Sequence, residues 1–111
     1  MKFKDYVEFT RTTAMYPGAN EGGIDELTYL MVEVANESGE LLGVLKKCIR
    51  GDYDVEELKN KVVPEMGDVM YAFMRLHDAL GITPEEVMES NYKKLLDRKN
   101  RGKIKGSGDY R

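Results

Sequence analysis

The chain has 111 residues, 17 Lys+Arg against 20 Asp+Glu, and a formal net charge of −3. With 41% apolar and 33% charged residues it suits one domain, 1–111, with a modest core. No apolar run reaches the roughly 18–20 residues of a membrane span, no basic-then-apolar leader opens the sequence, and the single cysteine, Cys48, excludes an internal disulfide. A cytoplasmic protein with neither membrane nor nucleic-acid partner is therefore expected. The small net charge hides a split. Residues 1–92 carry 9 basic and 18 acidic side chains, whereas 93–111 carry 8 basic and 2 acidic. An acidic body and a basic tail suggest separate places for cations and anions.

Three prolines, long stretches of helix formers and no useful strand-like alternation predict an all-α chain. The first helix is expected over 3–14, ending near Tyr16-Pro17-Gly18 in a loop that continues through Gly22-Gly23. Asp25 reads as the N-cap of a long second helix over 26–49, closed by Gly51. A third helical region starts at Asp54 or Val55 and stops at Leu80-Gly81; Pro64 should kink it or begin a fresh helix. Thr83-Pro84-Glu85-Glu86 has the form of a capping box opening a fourth helix over 84–99. A Gly-rich basic tail, 101–111, follows.

On the second helix, about 100° per residue places Glu26, Glu33 and Glu40 within about 60° of Glu37, bordering the apolar face rather than opposing it. The third region carries Glu65 and Asp68 beside Val69, Met70, Phe73, Leu76 and Leu80. Antiparallel packing of these faces would bring Glu37, Glu40, Glu65 and Asp68 together. An all-carboxylate set suits Mg²⁺ or Mn²⁺ rather than zinc. Acids three apart also form ordinary solvated helix faces, and both readings stand on spacing alone. Gly39 and Gly67 each precede the second acid of a pair and suggest close approach of another helix backbone, since glycine inside a helix costs about 1 kcal/mol relative to alanine.

These residues resemble the MazG-like family of all-α nucleoside triphosphate pyrophosphohydrolases. The family pattern is E-x-x-E, a spacer, then E-x-x-D; here Glu37-x-x-Glu40 and Glu65-x-x-Asp68 are separated by 24 residues. The run Leu80-Gly-Ile-Thr-Pro-Glu-Glu-Val and the later Asn91-Tyr-Lys-Lys-Leu-Leu-Asp-Arg98 continue the likeness, which covers most of 27–111. Pro64, just before the second pair, is the less usual feature. The resemblance implies a four-helix MazG-like bundle completed by homo-oligomerisation, as a homodimer or homotetramer. It also implies Mg²⁺-dependent cleavage of a nucleoside triphosphate to monophosphate and pyrophosphate, in nucleotide-pool house-cleaning. The metal would be held by Glu37, Glu40, Glu65 and Asp68. Glu33 or Glu37 would take the proton of the attacking water.

On the fourth helix Asn91, Lys94 and Arg98 share a face, suited to phosphate oxygens, and Asn91 and Lys94 match family residues that meet the substrate. Cations also gather at helix C-termini for dipole reasons alone. Lys93 faces elsewhere and is expected to be solvated. The tail either closes over a ligand or trails free. Tyr6, Arg11, Thr13 and Tyr16 are candidates for a base pocket, and His77, at the border of the third helix's apolar face, reads as packing or surface rather than catalysis. The apolar arc of the second helix is wider than one partner helix covers, which independently predicts oligomerisation. The alternative function is a catalytically inactive nucleotide- or metal-binding regulatory module on the same scaffold.

Overall fold

Capping chemistry sets most of the helix boundaries. In a computed structural model describing Met1–Arg111, the chain forms α1 (Phe3–Thr13), α2 (Ile24–Ile49), α3 (Val55–Leu80) and α4 (Pro84–Asn100), with no strand. Asp54 caps α3 by accepting the Glu57 N–H at 2.9 Å. At α4 the capping box is complete: Thr83 Oγ1 accepts the Glu86 N–H and Glu86 Oε2 accepts the Thr83 N–H, both at 3.1 Å.

The start of α2 differs from the sequence expectation. Gly23, not Asp25, is the cap residue, and Asp25 lies inside the first turn. The physical reason is Glu26, whose carboxylate reaches back to accept the Asn20 N–H at 2.8 Å and the Gly22 N–H at 2.9 Å. Those bonds fix the incoming chain, so no side-chain cap is needed at the boundary itself. Helix α3 also runs through Pro64 as one element rather than restarting there. Pro64 is exposed and merely leaves the Asn60 carbonyl without its i+4 donor.

The residues form two compact units, Met1–Gly81 and Ile82–Arg111. In the first, the short connection 50–54 folds α3 back along α2, and α1 packs on α3. The Tyr53 hydroxyl pins this connection by donating to the Val44 carbonyl. Only Val7, Leu30, Ala72 and Met74 are buried apolar residues, and beside them lie buried Thr10, Glu26, Arg75 and His77. Of the two readings of His77, packing holds: it is buried, its Nδ1 donates to the Phe73 carbonyl at 2.7 Å and its ring stands edge-on to Phe73. Neither Gly39 nor Gly67 has any atom within 4 Å of where a Cβ would stand, so within the chain they mark no close helix approach. The second unit consists of α4 and the 101–111 segment, which turns back along it. No helix is long and apolar enough to cross a membrane.

Candidate metal centre and phosphate-binding face

Folding α3 against α2 brings three of the sequence-selected acids together. Glu37 of α2 and Glu65 and Asp68 of α3 each place one carboxylate oxygen within 4.8 Å of the others. Glu37 and Glu65 are half-buried and Asp68 is exposed. The Oε2 atoms of both glutamates are buried without any hydrogen-bond partner. No lysine or arginine forms an ion pair with Glu33, Glu37, Glu40, Glu65 or Asp68. Burial first, and then the charges of Glu40, Asp68 and Glu33, push Glu37 up to about 7. Glu40 and Glu33 thus stand close enough to act on Glu37, although neither belongs to the convergent trio.

Orphaned carboxylate oxygens in a crowd of like charge are what a divalent cation corrects. The donor set is all oxygen, with no nitrogen or sulfur ligand, and fits a hard ion such as Mg²⁺ or Mn²⁺. Glu37, Glu65 and Asp68 would supply direct ligands, with Glu40 at their edge.

Glu26 has a different fate, although it shares the acidic stripe on α2. It is fully buried and accepts from the Tyr16 hydroxyl at 2.6 Å as well as from Asn20 and Gly22 N–H; Arg75 Nη2 lies 3.6 Å away. Burial alone would raise its pKa, but these donors outweigh burial and hold Glu26 below the usual carboxylate value. Arg75, itself fully buried, donates to Asn20 Oδ1 at 2.6 Å and to Asp78 Oδ2 at 2.7 Å. Asp78 also receives a two-pronged bond from Arg11 at 2.6 and 2.8 Å. Arg11 and Tyr16, suggested by the sequence as base-pocket residues, are thus tied into this network beside a cavity of about 240 Å³. Thr13 donates to the Tyr71 hydroxyl at 3.0 Å, and Tyr6 lines a separate apolar hollow with Phe3 and Met70. Sequence reasoning missed Arg75. Its signal was a lone arginine in a helical row with the small residues Ala72 and Ala79.

In the second unit, Asn91 and Lys94 line an open cleft of about 400 Å³ along α4, together with Ile82, Glu86, Val87 and Ser90. Lys94 Nζ lies 3.2 Å from Asp109 Oδ1. Arg98 is buried; its Nη2 donates to the Asp109 carbonyl at 2.7 Å and the Gly108 carbonyl at 3.3 Å, and lies 3.6 Å from Asp109 Oδ1. Lys93 is exposed and pairs only with Glu89.

The class defined by this fold is an all-helical protein whose hairpin of long helices converges carboxylates that lack counter-charges. The chain is 37% identical over 102 residues to the Gene 37 protein of Mycobacterium phage L5, spanning 89% of this chain and 90% of that protein. It belongs to the family of that phage protein. No protein-family model matches the chain, and no solved structure matches it.

Proposed function

We propose that this protein is a Mg²⁺-dependent nucleoside triphosphate pyrophosphohydrolase of the MazG-like type, cleaving ribo- or deoxyribonucleoside triphosphates to monophosphate and pyrophosphate. The observation that carries the reading is the pair of buried, partnerless oxygens on Glu37 and Glu65, convergent with Asp68 and in ion pair with no lysine or arginine. A solvated acidic face would leave those oxygens in water. These are also residues that the E-x-x-E and E-x-x-D pairs select from sequence. A bound Mg²⁺ supplies charge neutralisation toward phosphate and a more acidic water. Glu37, Glu65 and Asp68 hold that ion, with Glu40 completing the acidic set. Glu33, whose charge acts on Glu37 without its joining the trio, and Glu37 itself are the two candidates to accept the proton of the attacking water. On α4, Asn91 and Lys94 offer an amide and a cation to phosphate oxygens from an open cleft.

The same reading includes a homodimer or homotetramer. Its support is the thin core of the first unit: α2 and α3 expose Met31, Val32, Leu42, Ile49, Val63 and Met66 at 53–78%. Apolar surface of that extent on two adjoining helices is what a second copy buries. A strictly monomeric mass in solution removes this element. The catalytic reading is tested by incubating the protein with ribo- and deoxyribonucleotides plus Mg²⁺ and detecting monophosphate and pyrophosphate. Cleavage is expected for at least one nucleotide, and Glu65→Gln and Asp68→Asn should each lower it by about 100-fold or more, as for loss of a group acting on charge in the transition state. Absence of cleavage across the panel, or unchanged rates in both variants, overturns it.

A further inference from the structure

We propose that Asp109 occupies the Lys94–Arg98 cation pair as an internal substitute for phosphate, and that a polyphosphate chain displaces its carboxylate on binding. The identification of Lys94 as a phosphate contact rests on the proposed function; the displacement rests on the geometry of the 101–111 segment.

That segment is a strap closed by its own hydrogen bonds. Arg111 donates to the Gly108 carbonyl at 2.8 Å, the Ile104 carbonyl at 3.0 Å and the Lys103 carbonyl at 3.3 Å. Arg101 donates in turn to the Arg111 carbonyl at 2.5 Å. Glycine suits both turns of this strap: Gly106 has φ +149° and Gly108 φ +84°, backbone conformations that other residues rarely adopt. The strap sets its Gly108 and Asp109 carbonyls on the buried Arg98 guanidinium. The Asp109 side chain then reaches Lys94.

The contacts to Asp109 differ in how replaceable they are. The Arg98 side chain is only 5% exposed and is held by main-chain carbonyls that belong to the strap. Its Nε is buried and has no acceptor, so the guanidinium retains an unused donor. The Lys94–Asp109 pair is open to solvent, with side chains 38% and 74% exposed. Open ion pairs of this kind are weak and screened by salt. A single carboxylate there carries one negative charge, whereas a di- or triphosphate carries several along a chain of oxygens. Exchange of Asp109 for phosphate therefore leaves Lys94 neutralised, presents more acceptors to the pair, and sends the Asp109 carboxylate back to water without breaking the strap's backbone contacts.

The test is calorimetric titration of the full chain with inorganic tripolyphosphate in EDTA, which removes metal-bridged binding at the acidic trio. Asp109→Asn should bind about three- to fivefold more tightly than the natural chain, the gain set by loss of a weak competing ion pair. Lys94→Gln should weaken binding in both backgrounds. In the natural chain, the ¹³C-detected pKa of Asp109, held low mainly by Lys94 and then by Arg98, should rise when tripolyphosphate is bound. Unchanged or weaker binding by Asp109→Asn overturns the proposal, because Asp109 would then position Lys94 rather than compete with the ligand. Binding that ignores Lys94→Gln overturns it as well. Tripolyphosphate binding with this pattern but no nucleotide cleavage would overturn the hydrolase reading and leave the displacement standing. Cleavage without the pattern would do the reverse.

Discussion

Glu26 and Glu37 are eleven residues apart on α2, about three helical turns, and so project from nearly the same side. Glu26 is fully buried and Glu37 is half-buried with its Oε2 shut off from water, and their acidities move in opposite directions. Glu26 meets a hydroxyl, two backbone N–H groups and a guanidinium, and its pKa is lowered. Glu37 meets only other acids and is pushed up to about 7. A buried charge with every oxygen satisfied fastens the fold, here tying the 16–22 loop to α2 and, through Arg75, to α3. A half-buried carboxylate with a buried oxygen left unsatisfied, as at Glu37, is destabilising unless something outside the chain completes it. The difference marks one region as scaffold and the other as site.

The largest effect should come from breaking the satisfied region. Arg75→Ala removes the buried cation shared by Glu26, Asn20 and Asp78 and leaves the fully buried Glu26 without a counter-charge, while Asp78 keeps only Arg11. A loss of about 3–5 kcal/mol is expected in denaturant unfolding; a loss below about 1 kcal/mol would show that the network is ornamental. Next in size is the pH dependence of the metal-free protein. Arg11 first, and then Arg75, holds Asp78 at about 2, below its ordinary 3.8. Its stabilisation is therefore present above pH 3.8 and lost as pH falls through 2, on the order of 2 kcal/mol. Glu37 acts in the opposite sense. Its folded-state pKa is raised from 4.5 to about 7, so its contribution is present below pH 4.5 and lost as pH rises through 7. Unfolding in EDTA should thus show greatest stability near pH 4–5, with a decline toward pH 7 that Mg²⁺ reverses. A flat profile between pH 4.5 and 7 would contradict the raised pKa of Glu37.

The distinction between these regions was only half legible in the sequence. Spacing singled out Glu37, Glu40, Glu65 and Asp68, and of these the helical hairpin brings Glu37, Glu65 and Asp68 together, because i,i+3 pairs beside apolar faces approach when two such faces pack. The α4 boundary was equally legible, since a capping box is chemistry between residues three apart. Glu26 looked like another member of the stripe, and nothing local distinguishes it. Its partners come from the loop before α2 and from Arg75, 49 positions away in sequence, and periodicity is blind to such contacts. The same limit hid the strap. The basic character of 101–111 and its glycines were plain, but the return of Asp109 onto Lys94 depends on turns at Gly106 and Gly108 that periodicity does not encode.

Two subtler substitutions sharpen the comparison. Tyr16→Phe keeps the ring stacked on Tyr29 and removes one oxygen, the donor to Glu26 and the acceptor from Arg75. A loss of about 1–2 kcal/mol in unfolding free energy is expected, since a hydrogen bond to a charged group is lost and two backbone donors remain. Its response to Mg²⁺ should equal that of the natural chain. A variant that lost that response would show the two regions to be coupled.

Glu37→Gln should have the smallest effect on stability and the opposite sign. At pH 7.5 in EDTA the amide relieves repulsion from Glu40, Asp68 and Glu33, and a gain of up to about 1 kcal/mol is expected. The metal response should separate it from the natural chain. An ion at 100 times its dissociation constant stabilises a folded protein by about 2.7 kcal/mol, so weaker metal binding appears as a smaller rise in unfolding midpoint at equal Mg²⁺. The gain in EDTA and the blunted Mg²⁺ response must occur together, because both follow from a carboxylate with no partner inside the chain. A Glu37→Gln protein destabilised in EDTA as Tyr16→Phe is would mean that Glu37 is satisfied after all. The difference between the two glutamates, and the metal site inferred from it, would then be lost.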